Sequence, residues 1–271
     1  MFMKLDKMSY KAWLVLFGFT LISFACSDNP VSPDSDPPIL PELENIAPDI
    51  DFFSTNTPGQ GAFDELYSNY YEGRSYALSG YFTFSIFASL PTAYLSMTDG
   101  VEPEFKNGKW VWTYGYSFDG ESFELRIEAD VDNSRDRVDW EIFLSIDSSD
   151  VSISNFLFLK GFTNLNGNIG EWGFFIPDEG AGDNIGLTTK WNIQSASEKD
   201  MEVRISDPEE GTDFVMEYRQ RGAEHWMDYS DFYGQDVIQI YWNTSNNTGY
   251  VQINSDRKCW SDSFMNEVNC S

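Results

Sequence analysis

Asp130, Asp132, Ser134 and Asp136, with Glu141 in the twelfth place, stand at the offsets of a calcium loop, in which oxygens at alternate positions and a distal carboxylate enclose the ion. Arg135 occupies the place that demands glycine for the sharp turn, and the flanks alternate like strands rather than helices. The segment therefore reads as a solvated hairpin tip. A looser set, Asp147, Asp150, Asp178, Glu179 and Asp183, offers suitable oxygens, yet acidic turns are expected in any chain with this charge. Glu124, Glu128, Asp139 and Glu141 are of the types a glycosidase uses as acid and base, which must face one another across a sugar. Here they alternate with apolar residues, an arrangement that puts them on the solvated side of a sheet. His225, between Glu224 and Trp226, is the only histidine, which excludes zinc sites that need several. Beside a turn, it reads as a surface or edge residue. No nucleophile elbow, phosphate loop, dinucleotide fingerprint or His-Glu-x-x-His helix is present. The expectation is a chain with no catalytic set, no metal and no cofactor.

The aromatic residues carry more of the signal than the acids do. Trp110, Trp112, Tyr114 and Tyr116 alternate with Val111, Thr113 and Gly115, and Phe123, Leu125, Ile127, Ala129 and Val131 alternate with Glu124, Arg126, Glu128 and Asp130. Period two is the mark of a strand with one buried face. It returns around Trp140, in residues 156–162, around Trp172, in residues 187–193 and 201–205, and then in residues 214–218, 226–229, 238–242 and 250–253. Turn signals such as Asp119-Gly120, Asn166-Gly167 and Gly222 separate the runs at short intervals, leaving no room for crossover helices. Neighbouring strands should then run antiparallel. The reading is mainly β: about eleven strands in an up-and-down meander, as a curved sheet or barrel. In it Trp110, Trp112, Tyr114, Trp140, Trp172, Trp191 and Trp242 fill the core; if the sheet curls around a cavity, these rings line an apolar pocket for a lipid, an acyl chain or a hydrophobic peptide.

One long helix precedes the strands, from Asp64 to about Met97. Leu78, Phe82, Ile86, Leu90 and Tyr94 recur every fourth residue and predict its apolar face, and Pro91 should kink it or end its first part. Phe52 and Phe53, in a loop-like stretch before it, are placed to dock on the core.

The N-terminus has a secretory layout. Lys4, Lys7 and Lys11 precede an uncharged apolar run from Ala12 to Ala25, too short to span a bilayer as a helix. The residues Leu21-Ile22-Ser23-Phe24-Ala25-Cys26 resemble the lipobox of bacterial lipoproteins, with Ala25 as the small residue before the cysteine and Ser23 where leucine is usual. The resemblance implies lipidation of Cys26 after cleavage and a place in the cell envelope, at the outer membrane of a Gram-negative bacterium. From Ser27 to Pro48 the chain is rich in Ser, Asp, Asn and Pro, which predicts a disordered tether. The expected organisation is signal peptide 1–25, tether 26–48 and a single domain 49–271.

Export also bears on the cysteines. Cys259 and Cys270 lie within one short C-terminal segment in a compartment where disulfides persist, and they are predicted to pair. The formal charge is −27 over 271 residues; removing residues 1–25 takes away Lys4, Lys7, Lys11 and Asp6 and leaves about −29. Nucleic acid is excluded as a partner, because its phosphates need clustered Lys and Arg. Acids spread along the chain favour a surface adapted to high salt over one that collects cations or basic partners.

A helix followed by a long antiparallel meander on a lipidated tether is similar in outline to uncharacterised outer-membrane lipoproteins, and in architecture to the lipoprotein-carrier fold, where an unclosed sheet holds acyl chains under a helical lid. The resemblance implies a non-enzymatic envelope lipoprotein that binds an apolar ligand or a partner protein. The alternatives are a carboxylate hydrolase acting on extracellular glycans or lipids, and a purely structural surface protein.

Overall fold

The computed structural model describes residues 36–38, 46–59, 64–98, 100–149, 151–176, 184–207, 212–230, 236–267 and 270. The signal segment 1–25, Cys26, most of the tether, and Asp150, Asp178, Glu179 and Asp183 lie outside the described residues.

Among the described residues fourteen strands follow one another in both sequence and space. They are β1 (Glu104–Lys106), β2 (Lys109–Phe118), β3 (Glu121–Asp132), β4 (Arg137–Asp147), β5 (Ser152–Thr163), β6 (Ile169–Ile176) and β7 (Asn184–Ser195), then β8 (Glu198–Asp207), β9 (Thr212–Arg221), β10 (Glu224–Ser230), β11 (Val237–Asn243), β12 (Gly249–Ile253), β13 (Asp256–Trp260) and β14 (Asn266–Glu267). Every neighbouring pair is antiparallel, and the sheet is curved and open rather than closed into a barrel. The eleven expected strands are β2 to β12. Of the three that the period-two pattern missed, β1 and β14 have too few residues for alternation to show, and β13, as long as β12, buries the adjacent Cys259 and Trp260 and so does not alternate.

Alternation assigns one set of side chains to an inner face. Trp110, Leu125, Ile127, Trp140, Ile142, Leu159, Trp172, Val203, Met216, Ile240 and Val251 all belong to one buried cluster, so the sheet has a single core. Tryptophans share this face by sitting opposite glycines: Trp172 faces Gly161, Trp191 faces Gly170 and Trp260 faces Gly249. A Cβ at each of these glycines would overlap the indole. With that space open, Trp112, Trp140, Trp172 and Trp191 follow one another across the sheet at centroid spacings of 6.2, 6.4 and 6.1 Å. Register shifts between β4 and β5 leave Phe158 as an extra residue, and such bulges add local twist. Phe158 packs on Phe174 and on Tyr94 of the helix, at 5.8 and 4.8 Å.

Among the described residues two α-helices pack on the inner side. The longer, α2 (Ser68–Ser96, 29 residues), follows a 3-10 turn at Glu65–Tyr67 and lies over β10 to β14. Its packed seam is the predicted one only in part: Tyr94 packs on the core, Phe82 and Ile86 do not, and the side chain of Leu90 lies outside the described residues. Tyr70, Gly73, Ala77, Gly80 and Phe84 are buried, whereas Phe82 and Ile86 are 65% and 42% exposed. Small residues let the helix backbone approach the sheet: a Cβ on Gly73 would come within 2.8 Å of Trp260, and one on Gly80 would overlap Met227. Close approach of a long element won over the count of large apolar residues. Pro91 does not end the helix, which continues to Ser96; with no N–H, that proline costs one bond to the carbonyl of Phe87.

The shorter helix, α1 (Asp51–Thr55), replaces the expected loop, with Phe52 and Phe53 buried as predicted. The domain also begins before residue 49. Ile46 is 2% exposed inside the core, although it falls in the stretch 26–48 expected as a tether. At the other end Cys259 and Cys270 form the predicted disulfide, with Cα atoms 5.5 Å apart. Closing so short a loop stabilises the fold by roughly 3 kcal/mol in the chain-entropy account.

Candidate functional site

The seven rings expected to bind a ligand all lie on the inner face, but most are sealed there. Trp110, Trp140, Trp172, Trp191 and Trp242 are buried core residues. Helix α2 packs over the β10 to β14 part of this face, and the five rings take the core-filling role that was one of the two expectations for them. Trp112 is half-buried and Tyr114 is 36% exposed; with Tyr116 and Phe118 they leave an uncovered apolar strip on the far half of β2.

His225 corrects the surface assignment. It is 1% exposed on β10, its ring stacked on Trp242 at 4.9 Å and its Nδ1 2.9 Å from the Tyr218 hydroxyl. That hydroxyl also accepts from the backbone N–H of Asp49 at 3.2 Å and donates to Gln220 Oε1 at 3.3 Å. Burial pushes the imidazole down to about 4, with Asp49 working to raise it and Lys199 to lower it. A folded-state value below the unfolded one means that only the unfolded chain takes up the proton between about pH 6.5 and 4. Stability attributable to His225 should fall by about 2 kcal/mol between pH 7 and 5. The check is urea unfolding at both pH values: His225→Gln should remove most of that fall, and an unchanged pH slope would refute the assignment.

The outer face is where the sheet is open. The expected carboxylates are there: Glu128 and Glu141 both hold Lys109 at 3.0 Å, Lys160 reaches Glu141 at 2.9 Å, and Asp139 holds Arg137. They are a neutralised, solvated lattice. The calcium-like segment is a hairpin tip, with Asp132 Oδ1 accepting from the N–H groups of Ser134 and Arg135. Among the described residues no group of three or more His, Cys, Asp or Glu is placed to hold a metal.

Further along the same face runs a trough of about 440 Å³, lined by residues of β5 to β10. A second hollow of about 420 Å³ adjoins it and shares Phe162, Glu171, Lys190 and Glu202. Strand register builds its walls. One row runs Glu171, Lys190, Glu202, Glu217, Asp228, each directly opposite the next on the neighbouring strand. The parallel row, two residues along, runs Asn192, Asp200, Arg219, Trp226. Between them the backbone of Gly170, Trp191, Met201 and Tyr218 forms the floor.

Within the first row Glu202 faces Glu217 and Glu217 faces Asp228, like charges in positions where cross-strand partners usually attract. Burial, and then the charge of Glu217, hold the Asp228 carboxyl above its ordinary value against the pull of Arg219. Trp226 stands at the end of the second row and is braced from behind. Tyr241 packs on it at 5.5 Å, Tyr250 stacks on Tyr241 at 5.5 Å, and the Arg257 guanidinium covers Tyr250 at 4.1 Å. Glu224 fixes the Tyr241 hydroxyl at 3.0 Å.

Sequence reasoning did not single out Trp226, Glu202, Glu217 or Asp228. A signal was present: Arg221 pairs with Glu224 across the two-residue turn Gly222-Ala223, so residues equidistant from that turn face each other. Counting back puts Glu217 opposite Asp228. Comparisons with protein-family models, with curated proteins and with solved structures find no match. The site therefore has to be interpreted from its own chemistry. No helix among the described residues is long and apolar enough to cross a membrane.

Proposed function

We propose that this protein is a lipid-anchored component of the cell envelope, at the outer membrane of a Gram-negative cell, that binds a ligand or partner and does not catalyse a reaction. The anchor half rests on the basic, apolar and small-residue succession that ends at Cys26. The binding half rests on one observation: the inner face carries the buried core, while the outer face carries an open trough beside a braced tryptophan. Binding at the trough asks for a ligand with polar groups, since both walls bear charge. An apolar ligand would find a foothold at Trp112, Tyr114, Tyr116 and Phe118.

Metabolic labelling with a fatty acid tests the anchor. The wild-type chain takes up label and sediments with envelope membranes; Cys26→Ser loses the label, and its membrane-associated fraction drops about tenfold or more. Equal labelling or equal sedimentation of the two would end this reading.

A hydrolase is the second reading, and the facing of Glu217 and Asp228 favours it. Two carboxylates on adjacent strands, one held above its ordinary value, are the elements of an acid and a nucleophile. Release of reducing ends from a polysaccharide, lost in both Glu217→Gln and Asp228→Asn, would replace binding by catalysis.

A further inference from the structure

We propose that the outer-face trough holds a neutral glycan, with Trp226 as the wall on which a sugar ring stacks and Glu202, Glu217 and Asp228 as acceptors for its hydroxyls. This deepens the binding reading above and rests on it for the role, though not for the chemistry of the site.

Three observations select this class of ligand. The first is the aromatic wall. Trp226 lines the trough and is half-buried, and the tyrosine stack behind it fixes its orientation, so little ordering is needed when a ligand arrives. An indole face suits the C–H side of a sugar ring, which is apolar while its edges are polar. The second is the alternation of charge. Glu171, Lys190 and Glu202 stand side by side on one wall, and Asp200 and Arg219 on the other. Sugar hydroxyls donate and accept in turn and can use both kinds of neighbour. The third is net charge. Five acids against Lys190 and Arg219 line the trough, which repels uronic, sulfated or phosphorylated polymers.

A basic peptide is the main rival occupant. It would meet the acids near Asp228 favourably, but the same walls would set it against Lys190 and Arg219, and the adjoining hollow adds Arg137, Lys160 and Arg204. A hydroxyl-rich ligand meets no such conflict along the length of the trough.

The test is native affinity electrophoresis of the detergent-solubilised full-length chain in gels containing a soluble β-glucan, a mannan or a xylan. At least one of these neutral polymers should retard the wild-type protein, in 0.5 M sodium chloride as well as in low salt, because a neutral ligand forms no ion pairs for salt to screen. Trp226→Ala should weaken the interaction by about tenfold or more, and Trp226→Phe should keep most of it. Glu217→Gln, which preserves shape and is expected to fold, should weaken it by about threefold or more. Thermal unfolding of each variant separates loss of the site from loss of the fold. Retardation by none of the three polymers overturns the proposal, as does binding that Trp226→Ala leaves intact. So does binding that vanishes in salt and is displaced by polylysine, which would assign the trough to a basic partner. Failure of the envelope reading shows elsewhere, in the labelling of Cys26, and does not alter retardation. Release of reducing ends would convert the binder into a hydrolase and leave the glycan site standing.

Discussion

Gly170→Val is expected to cost about 3 kcal/mol or more of folding stability, the upper end of what overpacking a core does. Gly170 lies directly opposite Trp191, and a Cβ there would overlap the six-membered ring of that indole. The ring has nowhere to retreat. Its Nε1 donates to the Gly167 carbonyl at 2.8 Å, and the ring also packs on Trp172. Urea unfolding measures the loss. The double variant Gly170→Val, Trp191→Leu should recover more than half of it, because the two changes share one volume. A single variant within about 1 kcal/mol of wild type would show that the tryptophan–glycine pairing is not what holds the inner face.

Phe53→Ala should cost about 4 kcal/mol, as deletion of a fully buried aromatic ring does. Phe53 has no exposed surface and touches Trp242 at 5.0 Å, Tyr70 at 5.8 Å and Trp260 at 6.3 Å. It is also the wedge that fixes α1, and with it Asp49, over the His225 cluster. Loss of the ring should therefore expose residues 46–59 to protease at concentrations that leave this segment uncut in the wild type. Phe82→Ala is the matching control. The same group is removed from a side chain that is 65% exposed, and the cost should stay within about 0.5 kcal/mol. Equal losses at the two positions would restore the helix face that periodicity predicted.

These two phenylalanines show where sequence reading works and where it stops. Strands β2 to β12 were legible because each buries one face, and burial of one face writes a period of two into the residues. The helix was legible by length, but its packed side only in part. The rule that large apolar residues face inward failed at Phe82 and Ile86, because Gly73, Ala77 and Gly80 allow an approach that larger side chains forbid. His225 was misplaced for a related reason: a polar residue beside a turn is exposed by default, and only a neighbouring element, here the segment from Ile46 to Thr55, buries it.

The candidate site divides the same way. Its acids were visible as a class, and those singled out by type, Glu124, Glu128, Asp139 and Glu141, proved to be outward-facing and include the salt-bridged lattice of Lys109 and Lys160. The acids that line the trough differ from them in partners and not in type.

By itself the sequence determined the antiparallel meander, its eleven long strands, the pairing of Cys259 with Cys270 and which side chains share a face, since each of these follows from local alternation, turn chemistry or proximity along the chain. Only the tertiary structure decided that the sheet stays open, that its rings are consumed by the core, and that a concave surface forms on the outside between Glu217, Asp228 and Trp226. Those outcomes depend on cumulative twist and on contacts between residues far apart in the chain, such as Asp49 with Tyr218 and Tyr94 with Phe158, and no local pattern encodes such a sum.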